Sequence, residues 1–302
     1  MKIVYILGLS RSGSTMLDLI LGSNHNLVGL GEIFQVIRPD MNRFLRNEYC
    51  SCGKVTHECA FWGAASDRLK QDVSATLEER YNIVLRVFME VFGHNRILVD
   101  SSKLLDFLNL IEKLDDVELK VIYLIRDVRA WTISRLNNRK KSPKYYGRDG
   151  YYIKKLSYKY GWKIDIFKWI APFITILPAY YFWLWYIQNK QIIKYLQKNK
   201  IDYFRIGYDE LGLQPEYMMS KIFEFLGEKP GDPDFSSIDS KSHILVGNTK
   251  KRDQTRRQSI FYDNQWMYKN EWLRSAALFP NIMRFNAREV YKNIKTNSIW
   301  VD

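Results

Sequence analysis

The stretch KIVYILGLSRSGSTMLDLIL, at residues 2–21, decides the fold. Residues 2–7 form a short run of apolar and β-branched types, which predicts a buried strand. The glycine and serine residues of GLSRSGS, at 8–14, predict a tight loop. Apolar periodicity from Thr15 to Leu21 then predicts a helix, so the chain opens with a strand, a glycine loop and a helix.

The same order recurs twice further along the chain. A strand predicted at 96–99 precedes the tripeptide SSK and a helix from Leu104, and a strand predicted at 120–125 precedes Arg-Asp and a helix through Ser134. Strands that alternate with helices predict a mostly parallel sheet covered on both faces. The second half adds helices at 180–197 and 215–226 and a strand at 202–206.

The loops after the first three of these strands carry the polar residues of interest. They lie at 8–14, 100–103 and 126–127. Ligands of open parallel sheets bind at the carboxyl ends of the strands, where all three loops fall. No Pro/Gly/Ser-rich linker divides the 302 residues. We therefore expect one α/β domain over 1–302, with a P-loop-like nucleotide-binding core and helices flanking the sheet.

The overall charge favours anionic partners. Lys and Arg total 46 against 33 Asp and Glu, which gives a formal net charge of +13. A field of this sign attracts anions without selecting among them. Apart from one denser run at 250–257, the basic residues are scattered, which argues against a nucleic-acid-binding stripe and for a local anion pocket.

Two segments bear on localisation. The apolar run at 2–8 is too short for a signal peptide, so we expect a cytoplasmic protein. Residues 169–187 contain no formal charge and approach the length of a membrane span. Pro172 and Pro178 are expected to interrupt a helix there. A membrane span, peripheral membrane contact, a buried helix and an acceptor cleft all stay open for this segment.

The glycine loop has the spacing of a phosphate-binding loop, but Ser14 stands where a nucleoside triphosphatase has lysine. That lysine contacts β- and γ-phosphates, whereas loop amides and a helix N-terminus bind anions of any identity. The loop therefore suits a donor without a γ-phosphate, with Arg11 supplying the positive charge. The alternative is an ordinary tight turn between strand and helix.

A second anion site is predicted at the strand that ends before Arg126. The guanidinium of Arg126 offers a planar fork of donors, and the Ser134 hydroxyl lies two helical turns further on. The pair suits a second phosphate. A salt bridge at Arg126 and a surface serine form the alternative.

Taken together, the two sites resemble the PAPS-dependent sulfotransferase family, where PAPS is 3′-phosphoadenosine-5′-phosphosulfate. The resemblance rests on RSGST after the first strand and LIRDVRAWTISRL after a later one. It extends over most of the chain through NHNLVGLGE, VDSSK, IGYDEL, KIFEFLG and HILVGN, and it is strongest with the carbohydrate, tyrosylprotein and bacterial branches.

The resemblance implies transfer of a sulfuryl group from PAPS to an acceptor hydroxyl, without a required metal. Glu32 is then the base, and Arg11 and Lys103 stabilise the charge that develops during transfer. The residues implied to bind the donor are Arg11, Ser12, Gly13, Ser14, Thr15, Arg126, Ser134, Tyr208, Asn248, Lys251 and Arg252. Relatives often follow Gly-Asn with proline and a single arginine, so which of Lys251 and Arg252 reaches the donor stays open.

The acceptor is expected to be a glycan or glycolipid, a preference that also follows from the resemblance. A helical region at about 145–200 is expected on the acceptor side. Its aromatic residues Trp183, Trp185 and Tyr186 have the large apolar faces that stack on sugars or hold lipids and phenols.

Three clustered cysteines raise the question of a metal. Cys50, Cys52 and Cys59, with His57, match zinc ligands in type. Cys-x-Cys without a second, distant ligand pair lacks the usual pattern, and bacterial relatives carry a similar CxCG…CxFW stretch. We therefore expect reduced thiols or a local disulfide and no metal. His243 is expected to be structural or to face the donor.

Two alternative functions stay open from the sequence. One is a nucleotide kinase or triphosphatase that uses the same loop, against which Ser14 argues. The other is a non-catalytic, basic glycan- or membrane-binding protein, which the +13 charge and residues 169–187 favour.

Overall fold

The computed structural model describes residues 1–38, 48–72, 74–141, 173–174, 176–229, 242–247 and 262–294. These residues form one five-stranded, all-parallel sheet in the order β2-β3-β1-β4-β5. The strands are β1 (Lys2–Gly8), β2 (Leu27–Gly31), β3 (Ile97–Lys103), β4 (Glu118–Ile125) and β5 (Tyr203–Gly207). The predicted α/β fold with a parallel sheet is therefore confirmed.

Helices cover both faces of this sheet. They are α1 (Ser14–Leu21), α2 (Ile33–Ile37), α3 (Ala60–Gln71), α4 (Leu77–Phe92), α5 (Leu105–Ile111), α6 (Val128–Lys141), α7 (Pro178–Lys198), α8 (Tyr208–Leu213), α9 (Pro215–Leu226), α10 (Leu273–Leu278) and α11 (Pro280–Val290). Short 3₁₀ turns occupy Thr56–Glu58 and Gln265–Tyr268.

The central strand β1 shows why the apolar run at the N-terminus forms a strand. Its side chains alternate between two separate cores: Ile3, Tyr5 and Leu7 pack on one face, and Val4 and Ile6 on the other. All five are fully buried. A strand with helices on both faces needs apolar residues at every position, so its sequence reads as a continuous run rather than an alternating one.

One predicted boundary is wrong. The sequence predicts that the third strand ends at 99 and that SSK forms a loop, but β3 continues to Lys103. The serines stay in the strand because Asp100 Oδ1 accepts hydrogen bonds from the backbone and hydroxyl of Ser102. A buried aspartic side chain thus satisfies polar groups that favour a loop in isolation.

The aromatic segment before residue 187 also differs from its prediction. Pro178 starts α7 instead of interrupting a helix, because a first-turn residue has no intrahelical partner for its missing N–H. Pro172 lies outside the described residues. Along the part of the chain that the structure describes, no helix has the length and apolarity required to cross a membrane.

Candidate active site

The glycine loop turns the chain from β1 into α1. The backbone N–H of Ser12 donates to the Leu9 carbonyl at 3.2 Å, and Gly13 adopts a left-handed conformation with φ of 98°. Helix α1 begins at the next residue, Ser14. The first amides of a helix have no intrahelical acceptor and carry the positive end of its dipole, so the loop is built to receive an anion.

Gly13 is also required by packing. A Cβ atom at this position would lie 2.4 Å from the ring of Tyr208, at the start of α8. The Tyr208 ring in turn faces the Arg126 guanidinium, whose central carbon lies 4.7 Å from the ring centroid. Gly13 therefore lets the loop, Tyr208 and Arg126 pack together.

We expect Gly13→Ala to weaken binding of an anionic nucleotide by about tenfold or more, because the clash displaces Tyr208 and with it Arg126. Isothermal titration calorimetry measures the change. Gly227→Ala is a matched control, since Gly227 is also left-handed, with φ of 69°, but has open space at its Cβ position. Wild-type nucleotide affinity in both variants would show that a side chain at position 13 does not disturb the anion site.

Arg126 connects three parts of the site. Its Nη1 donates to the Arg11 carbonyl oxygen at 3.0 Å, and its Nη2 lies 2.9 Å from Asp263 Oδ2. Its Nε is buried and has no hydrogen-bond partner among the described residues. A buried N–H group without an acceptor destabilises the folded protein unless a ligand accepts its hydrogen bond. Arg126 therefore has the character of an anion receptor.

The two predicted anion motifs meet at Arg11 and Ser134. Arg11 Nε donates to Ser134 Oγ on α6 at 3.1 Å. Arg11 has a φ of 78°, which is rare for a residue with a side chain and is typical of strained positions at functional sites. The fold thus brings Ser134 into contact with the glycine loop, and a shared role of the two motifs in one site stays a prediction.

The predicted base pairs with the predicted lysine. Lys103 Nζ donates to Glu32 Oε1 at 2.6 Å, and the two side chains are 9% and 20% exposed. Lys103 pairs in register with Leu7, beside the start of the glycine loop, and has a φ of 71°. The contact with Lys103 is made by Oε1 alone, and the Glu32 side chain keeps some exposure to solvent.

Two buried carboxyl groups support the backbone around Glu32. Asp18 Oδ2 accepts from the backbone N–H of Gly31 at 3.1 Å. Asp100 holds Ser102, whose hydroxyl accepts from the backbone N–H of Phe34 at 3.0 Å. Burial raises the pKa of Asp18 and of Asp100 to about 7.

The raised pKa of Asp100 predicts a pH-dependent stability. In the folded protein this group holds a proton that it releases near pH 3.8 when unfolded, so its stabilising contribution is complete at low pH and is lost as pH rises to about 7. We expect the free energy of unfolding to fall from pH 5 to pH 7 more steeply in wild type than in Asp100→Asn, by up to about 1.4 kcal/mol per pH unit. Urea unfolding of both proteins at pH 5, 6 and 7 measures this difference. The same pH dependence of the unfolding free energy in wild type and Asp100→Asn would contradict the prediction.

Some predicted residues are not tested and some expectations need correction. Asn248, Lys251 and Arg252 lie outside the described residues, so their roles stay predictions.

Trp185 is fully buried and donates from its indole to the Arg126 carbonyl at 2.9 Å, so stacking on a sugar is excluded for it. Asp263 was missed, because it lies 137 residues from Arg126 and no local motif marks it.

Comparison with known proteins shows to which family the chain belongs. The family model described as a sulfotransferase domain matches residues 2–276, which includes the glycine loop, Glu32, Lys103 and the Arg126 motif. The chain belongs to the sulfotransferase domain family. Sulfuryl transfer is therefore the chemistry of this enzyme, and the nucleotide kinase alternative is not supported.

Solved sulfotransferase structures share the fold. The sulfotransferase domain from the curacin biosynthetic pathway is 17% identical, with a TM-score of 0.50, over 92% of this chain and 97% of that one. The sulfotransferase domain from the Synechococcus PCC 7002 olefin synthase is 18% identical, with a TM-score of 0.53, over 98% of this chain and 88% of that one. No curated protein matches the chain.

Proposed function

We propose that the sulfotransferase uses PAPS as its donor and releases 3′-phosphoadenosine-5′-phosphate (PAP). The observation that carries this proposal is the Arg126 guanidinium, which donates to the Arg11 carbonyl of the glycine loop and has a buried Nε without a partner among the described residues. A bisphosphate donor needs two anion sites held at a fixed separation, and this contact fixes the second site to the first.

Each end of the donor has a set of residues suited to it. The amides at 12–15, with the hydroxyls of Ser14 and Thr15 and the charge of Arg11, suit the 5′-phosphosulfate. Arg126 and Ser134 suit the 3′-phosphate. Ser14 is buried where a triphosphatase carries lysine, which agrees with a donor that has no γ-phosphate.

Glu32 acts as the general base in this proposal. The ion pair with Lys103 occupies Oε1 and orients the carboxylate, which leaves Oε2 for the proton of the acceptor hydroxyl. The acceptor oxygen then forms a bond to sulfur while the bond between sulfur and the 5′-phosphate oxygen breaks. The proton moves to Glu32, and the electron pair of the broken bond stays on PAP.

Positive charge stabilises the leaving group. Arg11 and Lys103 both lie at the carboxyl end of the sheet beside the glycine loop, where negative charge accumulates on the departing phosphate oxygen. These side chains and the helix N-terminus supply the electrostatic stabilisation, so the transfer step itself needs no metal.

The acceptor that we propose is a hydroxyl of a glycan or glycolipid. Just before α7, the side chains of Phe173, Ile176 and Leu177 are exposed. An exposed apolar patch suits the lipid part of a glycolipid or peripheral contact with a membrane surface in the cytoplasm. Transfer of labelled sulfate to glycolipids but not to the matching free glycans would support a glycolipid as the acceptor.

Calorimetric titration of the purified enzyme with PAP and with ATP tests the donor. We expect tight binding of PAP and weak binding of ATP, followed by release of PAP from labelled PAPS once an acceptor is added. No PAP binding by folded protein, or equal affinity for ATP, would overturn the donor assignment.

A further inference from the structure

Four sulfur and nitrogen ligands meet away from the residues assigned to transfer. This cysteine–histidine cluster consists of Cys50, Cys52, Cys59 and His243. Their ligand atoms all lie within 4.8 Å of one another, and Cys59 Sγ is 3.2 Å from His243 Nδ1. The histidine differs from the one considered from the sequence, since the His57 side chain is 63% exposed and is not part of the cluster.

We propose that the cysteine–histidine cluster binds one structural zinc ion. Three thiolates and one imidazole form a complete tetrahedral ligand set for zinc. With zinc–sulfur bonds of about 2.3 Å, sulfur atoms in such a site are separated by about 3.8 Å, so the observed spacing needs only a small contraction. The compact spacing suits a single ion, and soft thiolate ligands favour zinc over magnesium or calcium.

The first three ligands are held by local hydrogen bonds. The N–H of Cys50 donates to the Lys54 carbonyl at 2.8 Å, and the N–H of Gly53 donates to the Cys50 carbonyl at 3.0 Å, which closes a tight turn. Cys59 caps α3, and its sulfur accepts from the Trp62 backbone N–H at 3.4 Å. Backbone N–H groups that point at sulfur stabilise the negative charge of a metal-bound thiolate.

The fourth ligand is held in place by packing. The His243 ring lies against Phe92, with the ring centroids 5.3 Å apart. On either side of it, Ile244 N–H donates to Ser51 Oγ at 2.8 Å, and Ser51 Oγ donates to the Ser242 carbonyl at 2.5 Å. The segment 242–247 is thus joined to the cysteine turn before any metal binds.

The cluster also has a path for metal entry. Cys50 and Cys59 are buried, but Cys52 is exposed, and Cys52 and His243 line a cavity of about 440 Å³ that also contacts Phe92 and Arg96. A bound ion would tie segment 242–247 to the turn at 50–53. That segment also bonds to β2, through His243 N–H to the Gly29 carbonyl and Glu32 N–H to the Val246 carbonyl.

The test is the zinc content of the full-length protein. We would purify it without chelators from cells grown with added zinc, keep it reduced with a non-chelating phosphine, and measure metal by mass spectrometry. We expect one zinc ion per chain in wild type and in His57→Ala, and loss of zinc in Cys52→Ser and His243→Ala. Cys52 is exposed, so its substitution leaves the core intact.

Cobalt provides a second measurement that does not depend on variants. Replacing zinc by Co²⁺ should give the ligand-field bands of a tetrahedral site and the charge-transfer absorption of thiolate ligands. Folded, reduced wild type that binds neither zinc nor Co²⁺ would overturn the proposal. So would an intact mass two hydrogens lower, which indicates a disulfide, or equal loss of zinc in His57→Ala. None of these readouts depends on the donor proposed above.

Discussion

Glu32→Gln is expected to lower kcat by about 1,000-fold, within the range of 10²–10⁴ that a general base contributes. Glutamine keeps the length and planarity of the side chain but cannot accept the proton of the acceptor hydroxyl. Because Glu32 lies between β2 and α2 and its carboxylate contacts Lys103 instead of the glycine loop, PAP affinity should change by less than about twofold. Turnover of labelled PAPS and calorimetry measure the two quantities separately.

Glu216→Gln is the matched control for this substitution. Glu216 is exposed in the first turn of α9, and its replacement should leave both kcat and PAP affinity unchanged. Wild-type turnover in Glu32→Gln would exclude Glu32 as the base. A parallel loss of PAP affinity would show instead that the ion pair with Lys103 shapes the donor site.

Arg126→Ala is expected to raise the Kd for PAP by about 100-fold or more. The variant loses charge-assisted hydrogen bonds to a phosphate, each worth about 1.5–3 kcal/mol, and two such bonds account for this factor. It also loses the brace to the Arg11 carbonyl and the contact with Tyr208. Arg126→Lys retains the charge but not the planar fork, so its affinity should lie between those of Arg126→Ala and wild type.

Arg68→Ala controls for the loss of one positive charge from a basic protein. Arg68 pairs with Glu90 on the surface, and its removal should leave the Kd for PAP unchanged. Equal PAP affinity in Arg126→Ala and wild type, with the fold retained by circular dichroism, would exclude Arg126 from the donor site. Equal losses in Arg126→Ala and Arg68→Ala would indicate general electrostatic attraction instead of a specific site.

The local parts of the fold and site were predictable because each is encoded within a few residues. The apolar run of β1 predicts a buried strand, and the glycines after it predict the loop. The Arg126–Ser134 spacing predicts a second anion site because both residues lie on one strand–helix unit. The family resemblance that these two motifs carry then implies the donor before any contact is known.

The contacts that sequence reasoning missed join distant parts of the chain. Asp263 reaches Arg126 across 137 residues, and His243 reaches Cys59 across 184. Neither residue stands in a pattern with its partner, so only the path of the folded chain brings them together. Ser102 was misplaced for a different reason, because its position in β3 depends on hydrogen bonds to the buried side chain of Asp100, two residues away, which strand propensity does not include.

Segment 242–247 affects how readily copies of this protein can aggregate through the edges of their sheets. Strands β2 and β5 are the outermost in the sheet, and outer strands with unpaired N–H and C=O groups are templates for aggregation. Segment 242–247 bonds along β2, and on the opposite side the Asn293 side chain donates to the Arg205 carbonyl of β5 at 2.9 Å. Both outer strands thus accept hydrogen bonds from residues beyond 240, so these contacts on the two edges of the sheet can form only after residues 242–293 have left the ribosome.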